Sequence, residues 1–113
     1  MATSTERPEA EAMLREHNLR DRFNVLATGD EVPNGKPSPD LFLLAAGRLG
    51  ISPSECLVLE DSEAGIVAAN RTGMQVYVIP DLRPPSTSVE SLAQGRFDSL
   101  ASVEKELRRQ SSL

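Results

Sequence analysis

Short apolar runs alternate with amphipathic stretches along the whole chain. Residues 23–28 (FNVLAT), 56–60 (CLVLE) and 75–79 (QVYVI) are nearly continuous apolar runs. That is the pattern of strands buried on both faces of a parallel sheet. Between them the apolar positions recur at helical spacing. Residues 8–18 predict a polar helix with a thin stripe of Ala10, Met13 and Leu14. A second helix is predicted to about Leu49, with Leu41, Leu44, Ala45 and Leu49 on one face. Ser38 suits its N-cap, Pro39 its first position and Gly50 its stop. Ser52-Pro53-Ser54-Glu55 has capping-box spacing for one short turn. Residues 64–72 predict a small-residue helix ended by Gly73, whose alanines and Gly65 allow close packing on a sheet. Residues 80–88 form a Pro- and Ser-rich loop, and two further helices are expected over 89–94 and 101–109. Ala2-Thr3-Ser4-Thr5 has the character of a strand's end feeding a helix.

Strand, helix and strand in this order give right-handed βαβ units and a parallel sheet. The expected fold is therefore α/β: a Rossmann-like parallel sheet of about three to four strands with flanking helices. The 113 residues suffice for one small domain, 1–113, with 107–113 a frayed tail. There are 17 acidic residues against 12 Lys and Arg, and the net charge of −5 has no basic block set against it. With few aromatics and no stacking platform, nucleic-acid binding is not expected. The single cysteine, Cys56, permits no intrachain disulfide and reads as a buried thiol of a reducing compartment. No long apolar stretch or signal peptide stands out, so a cytoplasmic protein without membrane contact is expected.

Three groups of residues carry candidate chemistry. Glu60 and Asp61 end an apolar run just before a helix. Open α/β folds bind ligands at that carboxyl edge, and adjacent carboxylates there call for a cation such as Mg²⁺. Helix capping by Asp61 explains one acid well and two poorly. Lys36 lies between Gly35 and the prolines 37 and 39, a rigid setting for an ammonium that neutralises a phosphoryl group or a carboxylate. Thr3, Ser4 and Thr5 precede a predicted helix. They serve either as N-caps or as part of an anion site. Glu63 reads as a first-turn or solvent-facing acid and His17 as a surface residue of a polar helix tail.

At these residues the chain resembles the haloacid dehalogenase-like (HAD) phosphatases, in the branch of β-phosphoglucomutase-like and pseudouridine-phosphatase-like enzymes. Ala2-Thr3-Ser4-Thr5 is similar to that superfamily's motif II. Gly35-Lys36-Pro37-Ser38-Pro39-Asp40 is similar to the GKPxPD form of motif III, and Glu60-Asp61-Ser62-Glu63-Ala64-Gly65 to the EDSxxG form of motif IV. Gly73-Met74 before a strand and Pro80-Asp81 after it also suit the branch. The resemblance implies Mg²⁺-dependent hydrolysis of a small phosphorylated metabolite. It implies Thr3, Ser4 and Lys36 as phosphate-binding residues, Lys36 as the group that offsets charge in catalysis, and Glu60 and Asp61 as Mg²⁺ ligands.

The family's motif I, a DxDGT-like sequence whose first aspartate attacks the phosphoryl group, has no counterpart here. Asp21 follows no apolar strand, and Asp30 is followed by Glu31-Val32-Pro33. On the resemblance, the chain corresponds to a truncated, C-terminal part of such an enzyme, without motif I and the substrate-selecting cap. It is then expected to be inactive alone and marginally stable, either monomeric or self-associating through an exposed sheet edge. The alternative is a non-catalytic remnant or a fragment that binds phosphate or Mg²⁺ weakly. A phosphoacceptor receiver domain uses similar groups, but with the acid pair first and the lysine last. The order Thr3, Lys36, Glu60-Asp61 disfavours it. The substrate stays open between sugar phosphates and nucleotide monophosphates, since neither the cap nor the Arg83-Pro84-Pro85 loop selects one.

Overall fold

The computed structural model describes residues 1–80 and 85–111. In chain order the elements are β1 (Ala2–Thr3), α1 (Arg7–Glu16), β2 (Ala27–Thr28), α2 (Asp40–Leu49), β3 (Leu57–Glu60), α3 (Glu63–Thr72), β4 (Gln75–Val78), α4 (Thr87–Glu90), β5 (Gly95–Arg96) and α5 (Leu100–Ser111). Every strand pairing is parallel, as the βαβ pattern demands. The strands form two ladders, β1-β2 and β3-β4-β5. The α/β expectation holds, with five short strands among the described residues where three to four were expected.

The helix ends follow local rules with small displacements. α1 begins at Arg7, and no side chain caps it at Glu6; the Arg7 N–H donates instead to the Asp30 carboxylate at 3.1 Å. The hydroxyls of residues 3–5 are thus not its caps. Pro39 stands at the N-cap of α2, and the Ser38 hydroxyl accepts the Asp40 N–H at 3.4 Å. Gly50 and Gly73 end α2 and α3 in the left-handed region, at φ of 70° and 86°. A side chain there is strained, so glycine is the natural stop. Ser62, rather than Asp61, caps α3, its hydroxyl accepting the Gly65 N–H at 3.0 Å.

Two differences from expectation have plain causes. The run 23–28 is strand only at Ala27–Thr28, because its partner β1 spans only Ala2–Thr3 and pairs with those two residues. The helix expected over 89–94 is a single turn, Thr87–Glu90. The chain then forms β5, where a pairing with β4 satisfies its backbone. Of the Pro/Ser loop, residues 81–84 lie outside the described residues. So do Asp81 and most of the Arg83-Pro84-Pro85 segment.

The larger core cluster joins Phe42 and Ala46 of α2, Val58 of β3, Ile66, Ala68 and Ala69 of α3, and Met74, Val76 and Val78 around β4. A smaller one joins Ala10, Leu14 and Leu26. The buried face of α2 is Leu41, Phe42 and Ala46: Leu41 is buried as expected, Phe42 and Ala46 replace Leu44 and Ala45, and Leu49 is 44% exposed. Ala45 and Leu49 instead line an open cleft between β1 and β3. Cys56, expected inside a strand, sits just before β3, half-buried on the same cleft, with its Sγ 3.5 Å from the Ser52 carbonyl.

A charged cluster fixes the β1-β2 end. Thr28 is fully buried, and its hydroxyl donates toward Asp30 at 2.6 Å and Glu31 at 2.8 Å. Arg7 bonds Glu31 at 2.7 Å and the Leu26 carbonyl at 2.6 Å, while Arg48 also pairs with Glu31 and reaches Leu26. Hydrogen bonds from Arg48, Arg7 and Thr28 hold the Glu31 carboxyl well below the usual carboxylate range. The cluster clamps α1 and α2 onto β2, so Asp30 and Glu31 are structural here.

Candidate active site

Lys36 projects from the loop between β2 and α2. The Ser38 N–H closes a turn onto the Gly35 carbonyl at 3.0 Å, and Arg71 of α3 donates to the Pro37 carbonyl at 3.1 Å. The Lys36–Pro37 peptide is cis. So held, the Lys36 ammonium lies 3.0 Å from Glu60 Oε2 and 5.0 Å from the centre of the Phe42 ring. The ring's negative face favours a cation there. Both partners of the ion pair are largely covered, at 14% and 10% side-chain exposure. Water therefore screens them less than a surface pair.

Glu60 ends β3 and turns its carboxylate back over the first turn of α3. Its Oε1 accepts the Asp61 N–H at 3.1 Å, the Ser62 N–H at 3.2 Å and the Ser62 hydroxyl at 3.1 Å. Burial by itself pushes the Glu60 carboxyl upward. The charge and hydrogen bond of Lys36, with the Ser62 N–H, outweigh it and hold the group below the usual range. Gly65 is buried directly beneath this carboxylate: a Cβ at that position would overlap the Glu60 carboxyl group. The glycine of the EDSxxG pattern thus makes room for Glu60 rather than for the sheet. Nothing in the helical periodicity marks that role, although the fixed five-residue separation of Glu60 and Gly65 is its signal. Phe42 beneath Lys36 lies outside the expected apolar face of Leu41, Leu44, Ala45 and Leu49, so its place under the ammonium was likewise not marked.

Asp61 is exposed beside Glu60. Both acids line an open pocket of about 310 Å³ at the carboxyl end of β3 and β4, completed by Leu59, Ile79, Pro80 and Leu100. Thr3 closes β1, and its hydroxyl accepts the Thr5 N–H at 3.2 Å in a local turn; Ser4 is exposed beside it. The fold thus brings Lys36 and Glu60 into direct contact and sets Asp61 next to them, while the Thr3 hydroxyl bonds within its own turn. His17 is exposed at the end of α1, and Glu63 accepts the Ser86 N–H at 2.5 Å, tying α3 to α4.

Two carboxylates are hard oxygen donors of the kind Mg²⁺ takes, usually one or two with several waters and substrate oxygens. Glu60 Oε2 accepts from the Lys36 ammonium, and the Glu60 carboxylate also meets the Asp61 side chain. Among the described residues no group of three or more His, Cys, Asp or Glu is gathered to hold a metal. The acid pair suits part of a Mg²⁺ site, with other oxygens completing it.

The fold is a parallel α/β domain with a fixed ammonium and a carboxylate pair at one strand's carboxyl end, the edge at which open α/β sheets place ligands. Residues 1–73 match the family model described as haloacid dehalogenase-like hydrolase, and the chain belongs to that family. Its relatives lie in the β-phosphoglucomutase-like and pseudouridine-phosphatase-like branch. A Drosophila melanogaster protein named probable pseudouridine-5′-phosphatase is 48% identical over 89 residues, covering 74% of this chain and 38% of that protein. The fructose-1-phosphate phosphatase YqaB of Escherichia coli is 43% identical over 74 residues, covering 66% of this chain and 39% of that protein. The crystal structure of CbbY from Rhodobacter sphaeroides with xylulose-(1,5)bisphosphate superposes with a TM-score of 0.78 at 36% identity, over 88% of this chain and 45% of that one. The chain spans about half, or less, of the length of the curated relatives it matches, 47% and 38% for the first two. Among the described residues no helix is long and apolar enough to cross a membrane.

Proposed function

We propose that this chain carries the phosphate- and Mg²⁺-binding part of a phosphomonoesterase acting on a small phosphorylated metabolite. The observation that carries the reading is the covered Lys36–Glu60 ion pair, with Asp61 beside it on the pocket wall. Lys36 supplies a fixed positive charge for the phosphoryl oxygens, and no reorganisation is needed to present it. Glu60 orients that ammonium and, through Oε1, the first turn of α3. Glu60 and Asp61 would hold Mg²⁺, which when bound offsets negative charge on the phosphate and on an attacking carboxylate. Thr3 and Ser4 would add hydroxyl donors to the phosphate. Similarity to proteins named for pseudouridine-5′-phosphate and fructose-1-phosphate hydrolysis supports a metabolite-sized substrate.

No residue of the 113 matches the attacking aspartate of the family pattern. The chain by itself is therefore proposed to bind phosphate without turning over phosphomonoesters at an appreciable rate. Calorimetric titration with inorganic phosphate in the presence of Mg²⁺ tests the binding. Lys36→Ala should weaken it at least tenfold, and Asp61→Asn should remove its dependence on Mg²⁺. Unchanged phosphate affinity in Lys36→Ala would overturn the site. Robust Mg²⁺-dependent hydrolysis of p-nitrophenyl phosphate by the 113-residue chain, abolished in Lys36→Ala, would overturn the claim of inactivity.

A further inference from the structure

The Lys36 ammonium is held by Glu60 at 3.0 Å and lies over the Phe42 ring at 5.0 Å. Its backbone sits in a segment whose own hydrogen bonds are all short-range. Three of residues 33–39 are prolines, which have no N–H to give. The Ser38 N–H reaches the Gly35 carbonyl at 3.0 Å, the Asp40 N–H the Ser38 hydroxyl at 3.4 Å, and the Asn34 amide the Asp40 carboxylate at 3.4 Å. The tie from this segment's backbone to α3 is the Arg71 guanidinium, which donates to the Pro37 carbonyl at 3.1 Å. Arg71 stands in the last turn of α3, at the opposite end of that helix from Glu60-Asp61. Helix side chains lean toward the N-terminus, which brings the guanidinium back to the loop. Arg71 lies outside both the GKPxPD and the EDSxxG patterns.

We propose that Arg71 is a positioning residue of the phosphate site: by tethering the Pro37 carbonyl it keeps the Lys36 ammonium between Glu60 and Phe42 as phosphate binds. The inference rests on the proposed phosphate-binding reading. The ring of Pro37 fixes φ, so a held carbonyl fixes the remaining backbone dihedral, ψ. The direction in which Lys36 leaves the start of α2 is then set from α3, the same helix whose first turn underlies Glu60. A binding group has to be held within about 0.5 Å of its productive place by the residues behind it. An arriving phosphate competes with Glu60 for the three N–H donors of the ammonium. The hold at that end loosens when the ligand binds, whereas the hold on the backbone does not.

Lys36 and Lys105 are the chain's two lysines, so NMR can follow the Lys36 ε-methylene, identified by its loss in Lys36→Ala. The face of the Phe42 ring shifts protons above it upfield. Arg71→Met keeps an unbranched apolar stem and removes the donor. In that variant the Lys36 signal should move toward that of an unstructured lysine. Affinity for inorganic phosphate with Mg²⁺, titrated calorimetrically on the full chain, should fall about fivefold, the weight of one hydrogen bond. Arg71→Lys, which keeps a donor on a flexible stem, should recover most of both. Asn70→Asp, at an exposed neighbour that does not face Arg71, lowers the net charge as Arg71→Met does and should change neither. A Lys36 signal that keeps its wild-type shift in Arg71→Met overturns the proposal. So do equal effects of Asn70→Asp and Arg71→Met, which would make the effect one of charge alone. Unchanged phosphate affinity in Arg71→Met, where Lys36→Ala weakens binding, overturns the positioning role and leaves the phosphate site standing. Unchanged affinity in both variants overturns the phosphate-binding reading and the proposal with it.

Discussion

Replacing Gly65 by alanine sets two effects of opposite sign against each other, and the structure decides between them. Gly65 lies in the first turn of α3, where alanine's helix preference alone would stabilise the protein by about 0.5–1 kcal/mol. The added Cβ, however, would occupy the place of the Glu60 carboxyl group. Glu60 is a side chain and can swing away, but only by leaving Lys36 and the three donors on its Oε1. Losing one charge-assisted bond in a covered site costs about 1.5–3 kcal/mol. The Lys36 ammonium is then left largely covered without its carboxylate, which adds to the cost. Gly65→Ala should therefore be less stable than wild type by about 1–2 kcal/mol, seen by urea or thermal unfolding. In a domain of this size each 1 kcal/mol moves the melting temperature by about 4–8 °C. Gly47→Ala in α2 is the matched control, because a Cβ there meets nothing within 4 Å. It should gain about 0.5–1 kcal/mol. In a Glu60→Ala background the penalty of Gly65→Ala should vanish, a coupling measurable by a double-mutant cycle. Equal stabilisation by Gly65→Ala and Gly47→Ala would refute the reasoning, and so would a Gly65 penalty that survives removal of Glu60.

Stability should also depend on pH with a definite sign. Glu60 and Glu31 both titrate below their ordinary value of 4.5 in the fold, so the unfolded chain takes up their protons first as pH falls. Their contribution is complete above the ordinary carboxylate range and is lost below it. Urea midpoints should be flat down to about pH 5 and then decline, less steeply in Glu60→Gln; a midpoint that rises on acidification contradicts the sign. Gly29→Ala should cost about 1–3 kcal/mol by overpacking, because its Cβ would meet the Ser4 carbonyl, which is backbone and cannot swing aside. Unfolding curves that coincide with wild type would show that the β1 end yields freely.

The candidate site was legible to the extent that it is written in adjacent residues. Glu60-Asp61 after an apolar run, and Lys36 between glycine and proline, announce charge held at a strand's end. The pairing of Lys36 with Glu60 is not legible that way. The two lie 24 positions apart, and only the packing of the 36–39 loop against α3, through Arg71 on the Pro37 carbonyl, brings them to 3.0 Å. Asp61 was weighed as the cap of α3, yet the neighbouring Ser62 takes that role and leaves Asp61 on the pocket wall.

By itself, then, the sequence determined the α/β alternation, the parallel sense of the strands, the glycine stops at Gly50 and Gly73, and the identity of the charged residues at the carboxyl edge. Periods of hydrophobicity and local capping chemistry are short-range, and short-range rules suffice for those features. The tertiary structure alone decided how the strands divide into two ladders and which face of α2 is buried. It also made Gly65 the floor of Glu60 and left β1 and β3 facing each other across an apolar cleft. Each of these depends on which distant residues share a surface. That is set by close packing of the whole chain, and no window along the chain contains it.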